Sequence, residues 1–428
     1  MRDTTITDAL LGESYREIAH PSGLTIRVLH KEGYKKSFAL FATKYGSIDT
    51  LIQQPDGSFA AIPEGTAHFL EHKLFESEDL DAFERFAATG ANANAFTSFD
   101  MTAYLFSAAS DFAKNLEILL DFVQSPYFTE ETVRKEQGII GQEIRMYRDS
   151  ADWEVEFNLL RALYHNHPVR IDIAGTEETI AAISAELLYG CYRNFYNLHN
   201  MTLCVAGGAT AEEVLAVADK LLKPSEGKMA QRKYVPEPPT PKQTYIEERL
   251  PVSVPSFALG FKERISSPER SVKEILCTEI LLEAIAGRAS ALFTQLLEEG
   301  LINTGFGSQY FYGFGYADCE FSGESADPQR AAAGIRKAVA AVRETGIDEK
   351  SFEQARRKLY GRMIMRFNDV DDLAIEMAQT YFTGSGLFDT LAACREVTLA
   401  DANARLAEIL EDDSAALSVI LPAAGQEG

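Results

Sequence analysis

His68, Glu71 and His72 stand in the segment Gly65-Thr66-Ala67-His68-Phe69-Leu70-Glu71-His72-Lys73-Leu74-Phe75, spaced like one turn of a helix. On a helix advancing about 100° per residue they lie at roughly 0°, 300° and 40°, so all three project from one face. Two imidazoles one turn apart can share a zinc ion, and a carboxylate beside them can take a proton from water. The plain alternative is an amphipathic helix with incidental histidines, but burying these groups without a metal costs desolvation for no gain. Histidine is also rare in this chain of 428 residues, occurring only as His20, His30, His68, His72, His165, His167 and His199.

A catalytic zinc needs a third protein ligand and an open position. Glu71 cannot easily be both ligand and base, so that ligand must come from elsewhere. The helical stretch Phe128–Tyr147 (FTEETVRKEQGIIGQEIRMY) offers Glu136 and Glu143. Seven residues make about 700°, which puts both carboxylates on one face, two turns apart. Acidic groups beside Ile139, Ile140, Ile144 and Met146 call for a cation; the alternative is that one or both are surface charges. The order H-x-x-E-H is the inverted form of the zinc-peptidase motif.

These residues need elements to hold them. Leu24–His30 and Ser37–Thr43 alternate as strands, Thr66–Phe75 and Leu80–Ala88 have helical period, and Ala93–Phe106 reads as a third strand-like run. From Phe112 onward helical patterns dominate. Strands and helices are grouped rather than alternating, which predicts an α+β fold with mostly antiparallel sheets packed by helices. The Pro-, Lys- and Glu-rich stretch Lys223–Gln243 reads as a linker. It separates a first domain, 1–222, from a second, 244–428. The halves echo each other: Ser37-Phe38-Ala39-Leu40 recurs as Ser256-Phe257-Ala258-Leu259, and Phe128–Tyr147 resembles Ile347–Phe367. Met201–Gly207 and Ala415–Leu421 close the two halves as β-rich runs, so a duplicated unit is expected.

Composition narrows the function. The 41 basic and 64 acidic residues give 41 − 64 = −23, which disfavours nucleic acid. No run approaches the roughly 20 apolar residues that cross a bilayer. Met1 to His20 lacks the basic-then-apolar order of a secretory signal, and the five cysteines are scattered without a CxxC pair. A cytoplasmic protein is expected.

The chain resembles the pitrilysin/insulinase family of zinc peptidases, in the half-length branch related to mitochondrial processing peptidase. The resemblance rests on Ala67-His68-Phe69-Leu70-Glu71-His72-Lys73-Leu74-Phe75-Glu76, on Gly90-Ala91-Asn92-Ala93-Asn94-Ala95-Phe96-Thr97, and on Glu136 to Glu143. It implies His68, His72 and Glu143 as ligands of one zinc, Glu71 as base, and Glu136 as a second glutamate needed for activity. It further implies two homologous domains per chain, two chains closing a chamber, and an edge strand whose Asn94, Ala95 and Thr97 touch an extended peptide.

Two departures stand out. The second half contains no histidine, and Ala355 and Arg362 occupy the places of Glu136 and Glu143, so it holds no copy of the metal site. The Arg–Tyr pair that helps active relatives hold substrate is replaced by Leu296 and Asn303. Either the protein works without the pair or another chain supplies it; the expectation is a zinc endopeptidase in a homo- or heterodimer, needing a homologous partner chain for full activity. The rival expectation is a peptide-binding or scaffold subunit with little turnover of its own.

Overall fold

Ser37–Thr43, Met201–Gly207 and Ser256–Lys262 are buried along their whole length, as strands covered on both faces must be. They lie at the middle of two sheets in a computed structural model, which describes residues 2–53, 56–78, 81–225, 227–228 and 230–423. The first half runs β1 (Arg2–Asp8), β2 (Glu13–Ala19), β3 (Thr25–His30), β4 (Ser37–Thr43), the short pair β5 (Leu51–Gln53) and β6 (Phe59–Ala61), α1 (Thr66–Leu74), α2 (Ala82–Ala87), β7 (Asn92–Thr97), β8 (Thr102–Ala108), α3 (Phe112–Val123), α4 (Glu130–Arg148), α5 (Ala151–Leu163), α6 (Glu177–Ala181), α7 (Ala185–Phe195), β9 (Met201–Gly207) and α8 (Ala211–Leu221). The second runs β10 (Tyr245–Leu250), β11 (Ser256–Lys262), α9 (Val272–Ala286), α10 (Ala291–Glu298), β12 (Gly307–Gly313), β13 (Tyr316–Glu324), α11 (Pro328–Thr345), α12 (Glu349–Arg366), α13 (Val370–Thr383), α14 (Asp389–Glu396), α15 (Leu399–Leu406) and β14 (Ala415–Pro422). Among the described residues no helix is long and apolar enough to cross a membrane.

The duplication is visible in the topology. The first sheet has the order β1-β2-β3-β9-β4-β8-β7 and the second β10-β14-β11-β13-β12, so the last five strands of the first repeat as the second. Each sheet has one parallel pair, β3 with β9 and β10 with β14, and is otherwise antiparallel. The helices fall in the same places: two before the β7–β8 or β12–β13 hairpin, and five between it and the closing strand β9 or β14. The α+β architecture expected from the sequence is the one observed.

Packing cuts across the boundary set at the linker. Contacts group Met1–Gln142 with Asp172–Lys233 and Ile364–Phe388, and group Glu143–Ile171 with Tyr234–Met363 and Asp389–Gly428. The two helices in equivalent places, α5 and α13, each cover the sheet of the other half. In the first unit α13 lies on β4 and β9, where Leu373, Ala374 and Met377 meet Phe38, Leu40 and Ala206 in a dry core. In the second, α5 lies on β11 and β14. Beside that seam, Asn158 Nδ2 on α5 donates to Glu248 Oε2 on β10 (2.8 Å), and the buried Tyr164 hydroxyl, just past α5, donates to Asp318 Oδ2 on β13 (2.6 Å). An amphipathic helix needs only a complementary face, and nothing in its periodicity says which half supplies it.

Three local expectations are corrected. The run Ala93–Phe106 is a hairpin, not one strand; its turn is closed by Ser98 N–H donating to the Met101 carbonyl (2.8 Å). The Ser-Phe-Ala-Leu echo is out of register by one residue. Phe38 points at the exchanged helix α13, whereas Phe257 lies on the face away from α5, against Phe306. The helix expected from Leu80 begins at Ala82, capped by Asp81 Oδ1 accepting from Phe83 N–H (2.7 Å); Leu80 lies outside the described residues. The described residues of the linker lack regular structure, yet Arg232 pairs with Asp49 (2.9 Å) and Asp100 (2.8 Å), and Glu237 with Lys262 (2.9 Å).

Candidate metal centre

Helix α1 is buried at eight of its nine positions, with Phe69, Leu70 and Leu74 anchoring it in the core. Its start is fixed by two glycines. Gly65 (φ 83°) and Gly175 (φ 75°) let residues 64–65 and 174–175 pass backbone to backbone: a Cβ at Gly65 would stand 2.3 Å from the Ala174 carbonyl oxygen, and one at Gly175 2.6 Å from that of Glu64. The fully buried Lys73 is neutralised by Glu76.

Anchored this way, α1 presents His68 and His72 to Glu143 on α4, and one ligand atom from each lies within 4.8 Å of the others. The imidazole centroids are 4.6 Å apart with planes at 65°. Burial, and then the neighbouring His72, push His68 down to about 3, so it stays neutral with a lone pair available, the form a metal binds. Glu136, one of the two carboxylates read from the sequence, lies 2.9 Å from His72 Nδ1 through Oε1 and is itself buried. Donation from Nδ1–H to this carboxylate fixes the ring and turns Nε2 to a metal. Glu136, expected from the sequence as a second glutamate needed for activity, thus contacts the His72 ring. Glu143 Oε1 accepts from the Tyr147 hydroxyl (3.0 Å), whose ring stacks on Trp153 at 4.5 Å.

The donor set fits zinc. Two imidazoles and one carboxylate are the protein ligands of a catalytic zinc that keeps one position open. Among the described residues this is the single cluster of metal-binding side chains so disposed. The other five histidines hydrogen-bond elsewhere: His20 to Asp219 (2.9 Å), His30 to the Ala209 carbonyl (3.2 Å), His165 to that of Thr240 (3.2 Å), His167 to that of Phe314 (3.0 Å) and His199 to that of Ser225 (3.0 Å).

Glu71 is buried on the same helix, and its Oε2 accepts from Thr97 Oγ1 at 2.6 Å. Thr97 ends β7, the outermost strand of the first sheet, so the residues expected to touch a peptide do lie on a sheet edge. Asn94 is exposed, and its Oδ1 accepts from Ala95 N–H (2.9 Å); Ala95 is half-buried opposite Tyr104. Sequence reasoning missed the tier behind the base, where the Tyr104 and Tyr196 hydroxyls meet at 2.8 Å. Burial above all, with the nearby Glu71 carboxylate adding to it, raises both phenols. Ninety-two residues separate the two, and no motif links them.

The second half carries other groups at the positions matched from the sequence. Ala355 is buried, and Arg362 (3.8 Å) and Lys358 (2.5 Å) reach Glu283 on α9, so an ion-pair cluster stands between the two helices. Leu296 is a core residue at 1% exposure, and Asn303 donates to Glu324 (2.6 Å).

Comparison with known proteins agrees with this picture. Residues 55–177 match the family described as Insulinase (Peptidase family M16), and residues 182–359 match the Peptidase M16 inactive domain. The uncharacterized zinc protease YmfH of Bacillus subtilis is 38% identical over 94% of this chain and 95% of its own length. The beta subunit of the human mitochondrial-processing peptidase is 34% identical over 36% of this chain and 32% of its own. The crystal structure of an M16-like peptidase from Alicyclobacillus acidocaldarius superposes with a TM-score of 0.92 at 38% identity, covering 98% of this chain and all of that one.

Proposed function

Because the chain belongs to the insulinase family, peptidase family M16, we propose that it is a zinc metalloendopeptidase hydrolysing extended or unfolded peptides. The observation that carries this reading is the convergence of His68, His72 and Glu143 beside Glu71, with three of the four side chains on the buried helix α1. These three side chains would hold the ion. When bound, zinc supplies Lewis acidity, lowering the pKa of water and polarising a carbonyl. Glu71 takes the proton of the attacking water and returns it to the leaving amine. Glu136 keeps His72 oriented. An extended peptide adds to the outer edge of β7 by backbone hydrogen bonds, with Asn94 turning away from the Ala95 N–H to admit it.

In this reading two homologous chains enclose the peptide, and the partner contributes the Arg–Tyr pair. The support is that Leu296 is packed in the core and Asn303 is tied to Glu324, so neither offers a substrate grip. The same observation favours the second reading, a peptide-binding subunit that turns over little alone. Glu71→Gln distinguishes chemistry from binding: zinc and peptide affinity should persist while hydrolysis of quenched peptides falls at least ~100-fold. Turnover near the wild-type rate in that variant would end the proposed mechanism.

A further inference from the structure

Thr97 stands at the end of the edge strand, and its period-two neighbours Ala93 and Ala95 share its face of β7. Its hydroxyl lies 2.6 Å from Glu71 Oε2 and 3.4 Å from Thr102 Oγ1. The direction of the first bond follows from the second neighbour. Thr102 gives its one proton to the Tyr45 carbonyl (2.8 Å), so it has none for Thr97, and the carboxylate can only accept. Thr97 is therefore the donor, to a charged group, over a short distance. Its strand is locked by pairing Asn92–Thr97 with Ser107–Thr102, and β8 is in turn paired along its length with β4.

We propose that Thr97 is a positioning residue for Glu71 rather than a substrate contact: its hydroxyl ties the base to the strand on which the peptide is laid. The inference rests on reading Glu71 as the base. A peptide added to β7 takes its register from that strand. Without this bond the base would keep that register through its other contacts. With the bond, the carboxylate and the substrate backbone share one rigid support, and a small misplacement of either is enough to slow proton transfer.

The test pairs shape with chemistry in the zinc-loaded full chain. Thr97→Val keeps size and β preference but removes the donor; it should lower kcat about 10- to 100-fold with KM within about twofold and zinc content unchanged. Thr97→Ser restores the donor and should return kcat to within about threefold. In a Glu71→Gln background Thr97→Val should add nothing. Crystal structures of the metal-free variants give a readout independent of turnover: the Glu71 carboxylate should shift in Thr97→Val and stay in Thr97→Ser, and Thr97→Ala replaces the valine variant if that misfolds. A raised KM with intact kcat, a serine variant as impaired as valine, or an unmoved carboxylate would overturn the inference. If wild type and Glu71→Gln are equally inactive, alone and with a homologous chain carrying the Arg–Tyr pair, the peptidase reading fails, and the crystal structures still decide whether Thr97 holds Glu71.

Discussion

Glu136 touches one of the proposed zinc ligands, and replacing it separates a ligand-orienting carboxylate from one that touches substrate. In the sequence it is simply a second glutamate seven residues before a ligand. In the fold its Oε1 lies 2.9 Å from His72 Nδ1, with only 6% of Glu136 exposed. A hydrogen bond to a charged partner contributes about 1.5–3 kcal/mol, and losing a group that orients a metal ligand typically costs 10- to 100-fold in metal affinity. Glutamine still offers an oxygen to Nδ1–H but no charge, so Glu136→Gln should weaken zinc about tenfold, roughly 1.4 kcal/mol. Leucine removes the acceptor and frees the ring to rotate; Glu136→Leu should approach a 100-fold loss. Competition titration against a chelating zinc indicator at neutral pH measures both, with thermal melts confirming the fold. Turnover at saturating zinc should recover most of its loss in the glutamine variant. Zinc affinity unchanged in Glu136→Leu would refute the reasoning. If activity were lost at the same time, Glu136 would be acting on the substrate and not through His72.

Purified protein should hold about one zinc per chain, and His72→Ala or Glu143→Gln should lose most of it by metal analysis, since the first removes a proposed ligand and the second the charge of another. Adding a homologous chain that carries the Arg–Tyr pair should raise kcat/KM at least tenfold, about 1.4 kcal/mol; high activity of a pure homodimer, unchanged by such a chain, would count against a partner. Under α5, burial and then the neighbouring Glu320 push Glu156 up to about 9, and burial pushes Asp318 up to about 7. The folded state therefore keeps protons that the unfolded chain releases above about pH 4, so stability should fall as pH rises from about 5 to 9. Glu156→Gln should flatten that decline and raise Tm at pH 8.5, and a Tm that climbs over this range in the wild type would contradict the sign.

Much of this molecule could be read without coordinates because some information is local. His68, Glu71 and His72 share a face for a covalent reason, the angle a helix turns per residue, and the same geometry aligns Glu136 with Glu143. Ser37–Thr43, Met201–Gly207 and the run around Ser256-Phe257-Ala258-Leu259 read as strands, although only the fold shows that they are central and covered on both faces. The duplication was legible in its helices, although the Ser-Phe-Ala-Leu echo that seemed to support it lands on opposite faces of its two sheets. What the tertiary structure decided is who meets whom. His72 finds Glu136 across 64 residues and Glu71 finds Thr97 across 26, contacts that no periodicity encodes. The exchange of α5 and α13 has the same origin, because a helix stripe specifies that a face is buried and not which sheet buries it. Periodicity along the chain fixes which side chains leave a helix together. The free energy of packing complementary faces, summed over the whole fold, chooses the partners they reach.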